Sequence, residues 1–308
     1  EQQLQGTGDK LLARQFAEAA GLPLLPGAEV STLEDALPLA EKLGWPVLIK
    51  AVGGGGGRGM KVVHAPAQLS EALTLAMMEA GAAFANPRVY LEPYVTAGRH
   101  VEVQILGDGK HLIHLGTRDC SVQRRYQKLI EEAPAPDLSD ALRNALENSA
   151  LDLGRHLGYR SAGTVEFLVD TVRNSYYFLE LNARIQVEHP VSEAISGIDL
   201  VAQQIRIAEG RPLGLLQRDV YQRGHAIECR INAEDPDNNF APSPGHVSAA
   251  AFPAASNIRM DTHIETGAVI PPYYDSLMGK LIVWGEDRQS ALRTMEKALA
   301  LCHIEGVS

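Results

Sequence analysis

The chain has 308 residues, 45% of them apolar, and a formal charge of −10 at neutral pH, which predicts one large domain or two unequal ones with ample core. That acidic balance excludes a nucleic-acid backbone as principal partner, since such a partner requires a basic footprint. Three scattered cysteines, Cys120, Cys229 and Cys302, give neither a disulfide framework nor a zinc knuckle, and with no leader or long apolar run the expected setting is reducing, cytoplasmic (or a mitochondrial matrix) and away from membranes.

In chain order, Asp9 is the expected N-cap and Gly21 the stop of a first helix over 9–20. Lys10 falls in its first turn, where the helix dipole disfavours a cation; it is either a surface lysine or the partner of an anion. Pro23 to Gly27 is a linker, and Ser31-Thr32-Leu33-Glu34-Asp35 opens a helix that ends near Gly44. Trp45 to Val52 is a strand carrying Lys50, Met60 to His64 a second, 67–83 a helix and Arg88 to Val95 a third strand. Between the first two lie Gly53 to Gly57, Arg58 and Gly59. Gly54, Gly56 and Gly59 match G-x-G-x-x-G in form, but a β-like segment follows instead of the helix a pyrophosphate needs. No G-x-x-x-x-G-K-[ST] occurs. The run reads best as a glycine-rich hairpin tip whose bare N–H groups close over phosphates, in preference to a flexible linker.

Arg99 to Leu106 alternates strictly, with Val101, Val103 and Ile105 on one face and His100, Glu102 and Gln104 on the other. Asp108-Gly109 is a turn, His111 to Arg118 the return strand, and 118–136 a charged loop. Its Arg124, Arg125 and Lys128 are either a solvated face balanced by Glu131 and Glu132 or a seat for a small anion. A long helix spans Asp137 to Leu157. Then Gly163 to Asp170 and Tyr176 to Pro190 form a hairpin; if it folds about Arg173, Glu166 and Glu180 are opposed. Asn182 and Arg184 follow at period two. Opposed acids repel unless a cation lies between them, and Glu and Asn oxygens suit Mg²⁺. Arg184, Gln186, Glu188 and His189 crowd the exit of that strand. A helix over 199–209, an alternating strand His225 to Asn232 with Glu228, Arg230 and Asn232 on one face, short strands up to Trp284 and a helix over 287–301 complete the chain.

The runs Lys50-Ala51-Val52 into the glycines, Arg118-Asp119-Cys120-Ser121-Val122-Gln123-Arg124-Arg125, Glu131-Glu132-Ala133-Pro134-Ala135-Pro136, Arg184-Ile185-Gln186-Val187-Glu188-His189-Pro190 and Glu228-Cys229-Arg230-Ile231-Asn232-Ala233-Glu234-Asp235 together resemble the biotin carboxylase component of biotin-dependent carboxylases, in the ATP-grasp superfamily. The resemblance implies an α+β ATP-grasp fold: an N-terminal helix and linker (1–24), a small glycine-flap lid (25–94) and a larger mixed or antiparallel-sheet body (95–308). It implies that Lys10, Lys50, Gly56, Gly57, the 92–95 segment (Glu92, Val95), His100 and Gln123 meet ATP. Glu166, Glu180 and Asn182 would hold Mg²⁺ or Mn²⁺. Lys128, Arg184, Gln186 and Val187 would seat bicarbonate, with Glu188 as general base and Arg230 steadying the biotin enolate.

The implied partners are a biotin carboxyl carrier, a carboxyltransferase and a second copy of the chain. Tyr126 stands where the family has His, which unsettles one nucleotide contact. The family's N-terminal α/β domain and its C-terminal end are lacking, so weak turnover and weak dimerisation are expected. Two other classes share part of the pattern: an ATP-grasp ligase that makes an acyl phosphate from another carboxylate, and a nucleotide-sensing module without chemistry.

Overall fold

The computed structural model of the protein describes residues 10–53 and 59–308; Asp9, Gly56, Gly57 and the side chain of Lys10 lie outside the described residues. The first helix, α1 (Lys10–Ala19), buries Ala13 and Ala17, and Gly21 at φ +79° ends it as Leu22 N–H bonds Ala17 O.

A four-stranded antiparallel sheet follows, ordered β1-β4-β2-β3 from β1 (Ala28–Val30), β2 (Val47–Ala51), β3 (Lys61–Val63) and β4 (Val89–Pro93). Two helices cover one face, α2 (Leu33–Leu43) and α3 (Pro66–Phe84). Thr32 caps α2 by accepting from Asp35 N–H at 3.2 Å, and Gly44 closes it. Because strand side chains alternate, Val47, Ile49, Val89 and Leu91 pack on the helices while Leu48, Lys50, Tyr90 and Glu92 face a cleft.

The second sheet has eight strands, all paired antiparallel. It draws on β5 (Gly98–Asp108), β6 (Leu112–Arg124), β7 (Gln127–Ala133), β8 (Arg160–Asp170), β9 (Ser175–Asn182) and β10 (His225–Asn232). Short pairs flank it: β11 (Glu234–Asp235) with β12 (Ala241–Pro242), β13 (Gly245–His246) with β16 (Val269–Ile270), and β14 (Ala249–Ala251) with β18 (His303–Glu305). With β15 (Ile258–Thr262) and β17 (Leu277–Gly285), the order is β15-β17-β10-β7-β6-β5-β8-β9. Val101, Val103, Ile105, Val165 and Phe167 form the apolar face with α4 (Asp140–His156), whose Leu146 and Leu153 are buried. Three further helices complete the body: α5 (His189–Ser196), α6 (Leu200–Ala208) and α7 (Arg288–Leu301). Among the described residues no helix is long and apolar enough to cross a membrane.

Three local expectations are corrected. The charged loop over 118–136 is a β-hairpin, β6 to β7, turning on Arg125 and Tyr126 at φ +52° and +66°. Such a mirror-type turn usually carries Gly or Asn, so its residues gave no signal. The helix expected from Asp137 starts after Ser139, whose hydroxyl accepts from Leu142 N–H at 3.2 Å; Asp137 itself is left-handed at φ +52°. The strand expected to run to Pro190 stops at Asn182, and α5 begins with Pro190 in its first turn, where a missing N–H costs nothing.

Glu132 fastens the two halves of this body. It accepts from His225 Nε2 at 2.8 Å and from Arg288 at 2.7 and 3.0 Å, tying β7 to β10 and to the start of α7. Burial alone would raise its pKa; the His225 and Arg288 bonds outweigh burial and hold it below the usual carboxylate range. A depressed acid stabilises the fold above its unfolded pKa and loses that contribution as pH falls toward the folded one. Glu132→Gln therefore lowers the denaturation midpoint at neutral pH, and the gap from wild type closes as the pH drops below about 4. Parallel urea titrations at several pH values check this.

Candidate active site

The β8–β9 hairpin forms one edge of the large sheet, and there Glu166 pairs with Glu180 as expected. The tip register would not give this alone. Asp170 pairs with Ser175 and Phe167 with Phe178, and the register then slips by one residue so that Glu166 meets Glu180. The extra residue, Leu179, is a β-bulge, a device that re-aims side chains at sheet edges. Asn182 Nδ2 lies 3.0 Å from an oxygen of each acid.

The pairing extends further across the sheet. Arg118 of β6 is the register partner of Glu102 of β5, Glu102 of Glu166 of β8, and Glu166 of Glu180 of β9. Three acids thus stand in one row with a cation at its end. Arg118 is wholly buried, and its donors are well used: Glu102 at 2.6 Å, Gln104 at 2.7 Å, Ser192 at 2.9 Å, Thr164 at 3.1 Å and Gln186 at 3.2 Å. Lys128 reaches over from β7 and donates to Glu102 (2.6 Å), Glu166 (2.9 Å) and Glu188 (2.7 Å). A register slip between Ile130 and Lys128 brings that side chain round to the row. Gln186 Nε2 adds a bond to Glu166 at 2.8 Å.

Beyond the row, the chain leaves β9 and passes over β10. Arg230 donates from Nε to Glu131 at 2.7 Å and from Nη2 to Glu188 at 2.9 Å. Lys280 Nζ holds the Val187 carbonyl at 2.8 Å. Arg184 is exposed and bonds the Ile185 carbonyl at 3.3 Å. His100 Nε2 sits 2.8 Å from Glu166 Oε2 without the alignment of a formed hydrogen bond, while Gln123 contacts His100 Nδ1 at 3.0 Å. Lys50 forms an ion pair with buried Glu92.

Lys50, His100, Lys128, Glu166, Glu180, Glu188 and Arg230 line one cleft of about 710 Å³ between the two sheets, with Glu102, Arg118 and Glu131 buried behind its wall. The described residues singled out by the family resemblance are on its wall, Lys50, Glu92, Val95, His100, Gln123, Lys128, Glu166, Glu180, Asn182, Arg184, Gln186, Val187, Glu188 and Arg230, with Tyr126 beside them, whereas Arg124 and Arg125 of the suggested anion seat turn to Glu234 and Asn239 instead. The sequence reading left open whether the polar face of β5 met solvent or a ligand; Glu102 and Gln104 are fully buried. Glu102, Arg118 and Glu131 are the structural members that it did not single out. The signal for Glu102 was the strict alternation of β5, which sets it between His100 and Gln104 on one polar face; Arg118 and Glu131 had no local signal.

Burial penalises each of these charges and a neighbour reverses the penalty. Burial would raise the Glu166 pKa, but Lys128 and then His100 bring it well below normal; Glu102 is lowered likewise by Lys128 and Arg118. Burial would lower His100 and Lys128, yet Glu166 raises the first and Glu102 the second. The site is an interlocked lattice of ions.

Glu166, Glu180 and Asn182 fit a hard divalent cation. Two carboxylates meet on one hairpin face, and the amide between them would offer oxygen in place of nitrogen on turning over. Among the described residues His100, Glu102 and Glu166, and likewise Glu102, Cys120 and Glu188, come within 4.8 Å of one another, and their shared member Glu102 is neutralised by Lys128 and Arg118.

The family described as "Carbamoyl-phosphate synthase L chain, ATP binding domain" matches residues 9–216, and "Biotin carboxylase C-terminal domain" matches 228–308. A protein of Nostoc sp. named biotin carboxylase is 51% identical over 303 residues, 97% of this chain and 68% of its own length. The biotin carboxylase domain of 2-oxoglutarate carboxylase from Hydrogenobacter thermophilus, solved as a dimer with MgADP, ADP and bicarbonate, superposes with a TM-score of 0.96 at 42% identity, covering 100% of this chain and 68% of that one. A Campylobacter jejuni biotin carboxylase described as a β-γ-ATP complex gives a TM-score of 0.94 at 46% identity, covering 98% of this chain and 68% of that one.

Removing the buried cation of the lattice strands Glu102. Arg118→Met keeps the volume and leaves that carboxylate with Lys128 alone, costing about 3–5 kcal/mol of stability. Arg118→Lys does not restore it, because one ammonium cannot reproduce a planar fork of bonds. Chemical denaturation of both variants measures the loss.

Proposed function

This chain belongs to the biotin carboxylase family of ATP-grasp enzymes, and we propose how its cleft divides the work. The reaction is ATP-dependent carboxylation of biotin with bicarbonate, giving carboxybiotin, ADP and phosphate, and the cofactors are ATP and Mg²⁺. Such chains are components of biotin-dependent carboxylases. The observation that carries the assignment of roles is Glu188, whose two oxygens are held separately by Lys128 and Arg230 one residue past the chain segment that lines the anion end.

In this reading residues 25–94 act as a lid, Lys50 and the glycine run with Gly56 and Gly57 meet the phosphates together with Lys10, and Glu92, Val95, His100 and Gln123 flank the nucleotide. Glu166, Glu180 and Asn182 hold Mg²⁺, which when bound neutralises charge on the transferring phosphoryl oxygens. Lys128, Arg184, Gln186 and the Val187 backbone seat bicarbonate. Glu188 takes the bicarbonate proton as its oxygen attacks the γ-phosphate. Two cations on Glu188 fix its position. The carboxyphosphate formed breaks down to CO₂ and phosphate, and phosphate removes the N1 proton of biotin. Arg230 and Arg184 hold the charge that grows on the ureido oxygen, an electrostatic role worth about 3 kcal/mol for one donor. A carrier presents the biotin, a carboxyltransferase consumes the product, and two copies of the chain associate.

Glu188→Gln keeps the shape and both cations but cannot accept a proton. Bicarbonate-dependent ATP hydrolysis falls by about 10²–10⁴-fold, while Mg·ATP still binds. Steady-state hydrolysis with and without bicarbonate, beside nucleotide binding by calorimetry, tests it; a variant that still hydrolyses ATP at the wild-type rate overturns the assignment.

A further inference from the structure

Behind Arg230 lies a buried acid for which the reaction above has no use. Glu228 of β10 and Glu131 of β7 are register partners and both are 0% exposed. Cross-strand partners have Cβ atoms about 5 Å apart. Among the described residues neither oxygen of Glu228 has a hydrogen-bond partner, and neither does Glu131 Oε2, whereas Glu131 Oε1 accepts from Arg230 at 2.7 Å. Two carboxyl groups bond one another only when one of them carries a proton, and a dry carboxylate without donors is too costly to persist.

The charges facing the pair do not remove that cost. Arg230 divides itself between Glu131 and Glu188; Lys280 of β17 is engaged by the Val187 carbonyl, with Asp261 of β15 at 3.6 Å. Lys128 of β7 serves Glu102, Glu166 and Glu188, and His189 begins α5 with its Nδ1 2.8 Å from the Gln186 carbonyl. From the other face α7 brings Ala291, Met295 and Ala298 against Cys229, whose thiol burial pushes up to about 12. Burial, and then Glu131, raise Glu228 well above the carboxylate range, and burial lifts Glu131 to about 7 despite Arg230.

We propose that Glu131 and Glu228 share one proton, and that this acid–carboxylate pair is the device that aims Arg230 into the cleft. The proposal rests on the role given to Arg230 above. Glu228 is a positioning residue: as the neutral partner it donates to Glu131, whose single remaining charge anchors Arg230 through Nε at 2.7 Å and Nη2 at 2.6 Å while Nη2 also reaches Glu188 at the cleft. A second negative charge on the pair, at high pH, draws the guanidinium back; a neutral Glu131 releases its anchor.

Two variants of the intact enzyme separate this from mere packing. Glu228→Gln still donates a hydrogen bond but cannot titrate. It keeps biotin-dependent kcat within about twofold of wild type near neutral pH and loses the alkaline fall in that rate. Glu228→Leu fills the space without a donor; its biotin-dependent kcat drops by about tenfold or more, the scale of one unpaired buried acceptor, with the KM for ATP unchanged. Equal behaviour of the two variants, or an alkaline limb kept by Glu228→Gln, overturns the proposal. Should the leucine variant not fold, the alkaline limb decides. The infrared carbonyl band of a protonated buried carboxyl, present in wild type and lost in Glu228→Gln, tests the shared proton without turnover, and its absence from wild type overturns it. A wild-type enzyme with the band but without biotin-dependent activity sinks the functional reading instead.

Discussion

The cleft depends on one electrostatic fact: three acids in adjacent strands, Glu102, Glu166 and Glu180, occupy a single cross-sheet row. Left alone they would repel strongly in a low-dielectric interior. Arg118 in the row and Lys128 above it neutralise the buried part, and each is held by several bonds that fix its place. Such a lattice adds little net stability, since desolvation offsets much of the attraction. It does specify geometry, because displacing any one ion leaves another buried and unpaired. Glu180, at the edge strand and half-buried, is the row's one acid open enough to exchange partners.

The same lattice explains how two sheets serve one site. The small sheet turns an apolar face to α2 and α3 and its opposite face, with Lys50 and Glu92, to the cleft. The large sheet does likewise, apolar toward α4 and ionic toward the cleft. Period-two alternation in both sheets therefore builds core and site from the same strands. The bulge at Leu179 and the slip at Lys128 are the two departures from regular pairing that bring Glu180 and Lys128 into line.

Much of this was legible in the sequence. Alternation in β5, β8, β9 and β10 gave the strands, and symmetry about Arg173 gave the Glu166–Glu180 opposition, though the pairing register at the tip differs by one residue and the Leu179 bulge restores it. What was not legible was nonlocal. Nothing near Arg118 says that its charge is buried, because its partners Glu102, Gln104, Thr164, Gln186 and Ser192 come from β5, β8 and the segment around α5. The β6–β7 turn was missed because Arg125 and Tyr126 take positive φ without the usual glycine. The start of α5 was missed because Arg184 to His189 is as rich in charge as a strand exit, and its helix signal, Pro190, comes late.

An acidic chain that handles anionic substrates needs cations in graded states of commitment. Arg118 is buried and fully engaged, so it orients and cannot bind. Lys128 and Arg230 are divided among carboxylates that include Glu188, so each can strengthen one contact as another weakens, without leaving a charge bare. Arg184 is exposed, with a long bond to a neighbouring carbonyl. The gradient runs from the middle of the sheet to its rim. Preorganised donors avoid reorganisation during the reaction, whereas capture requires charge not yet spent on the protein. Among the described residues that contrast is plain, with Arg184 exposed at the rim and Lys128, Arg230 and Arg118 engaged by carboxylates further in.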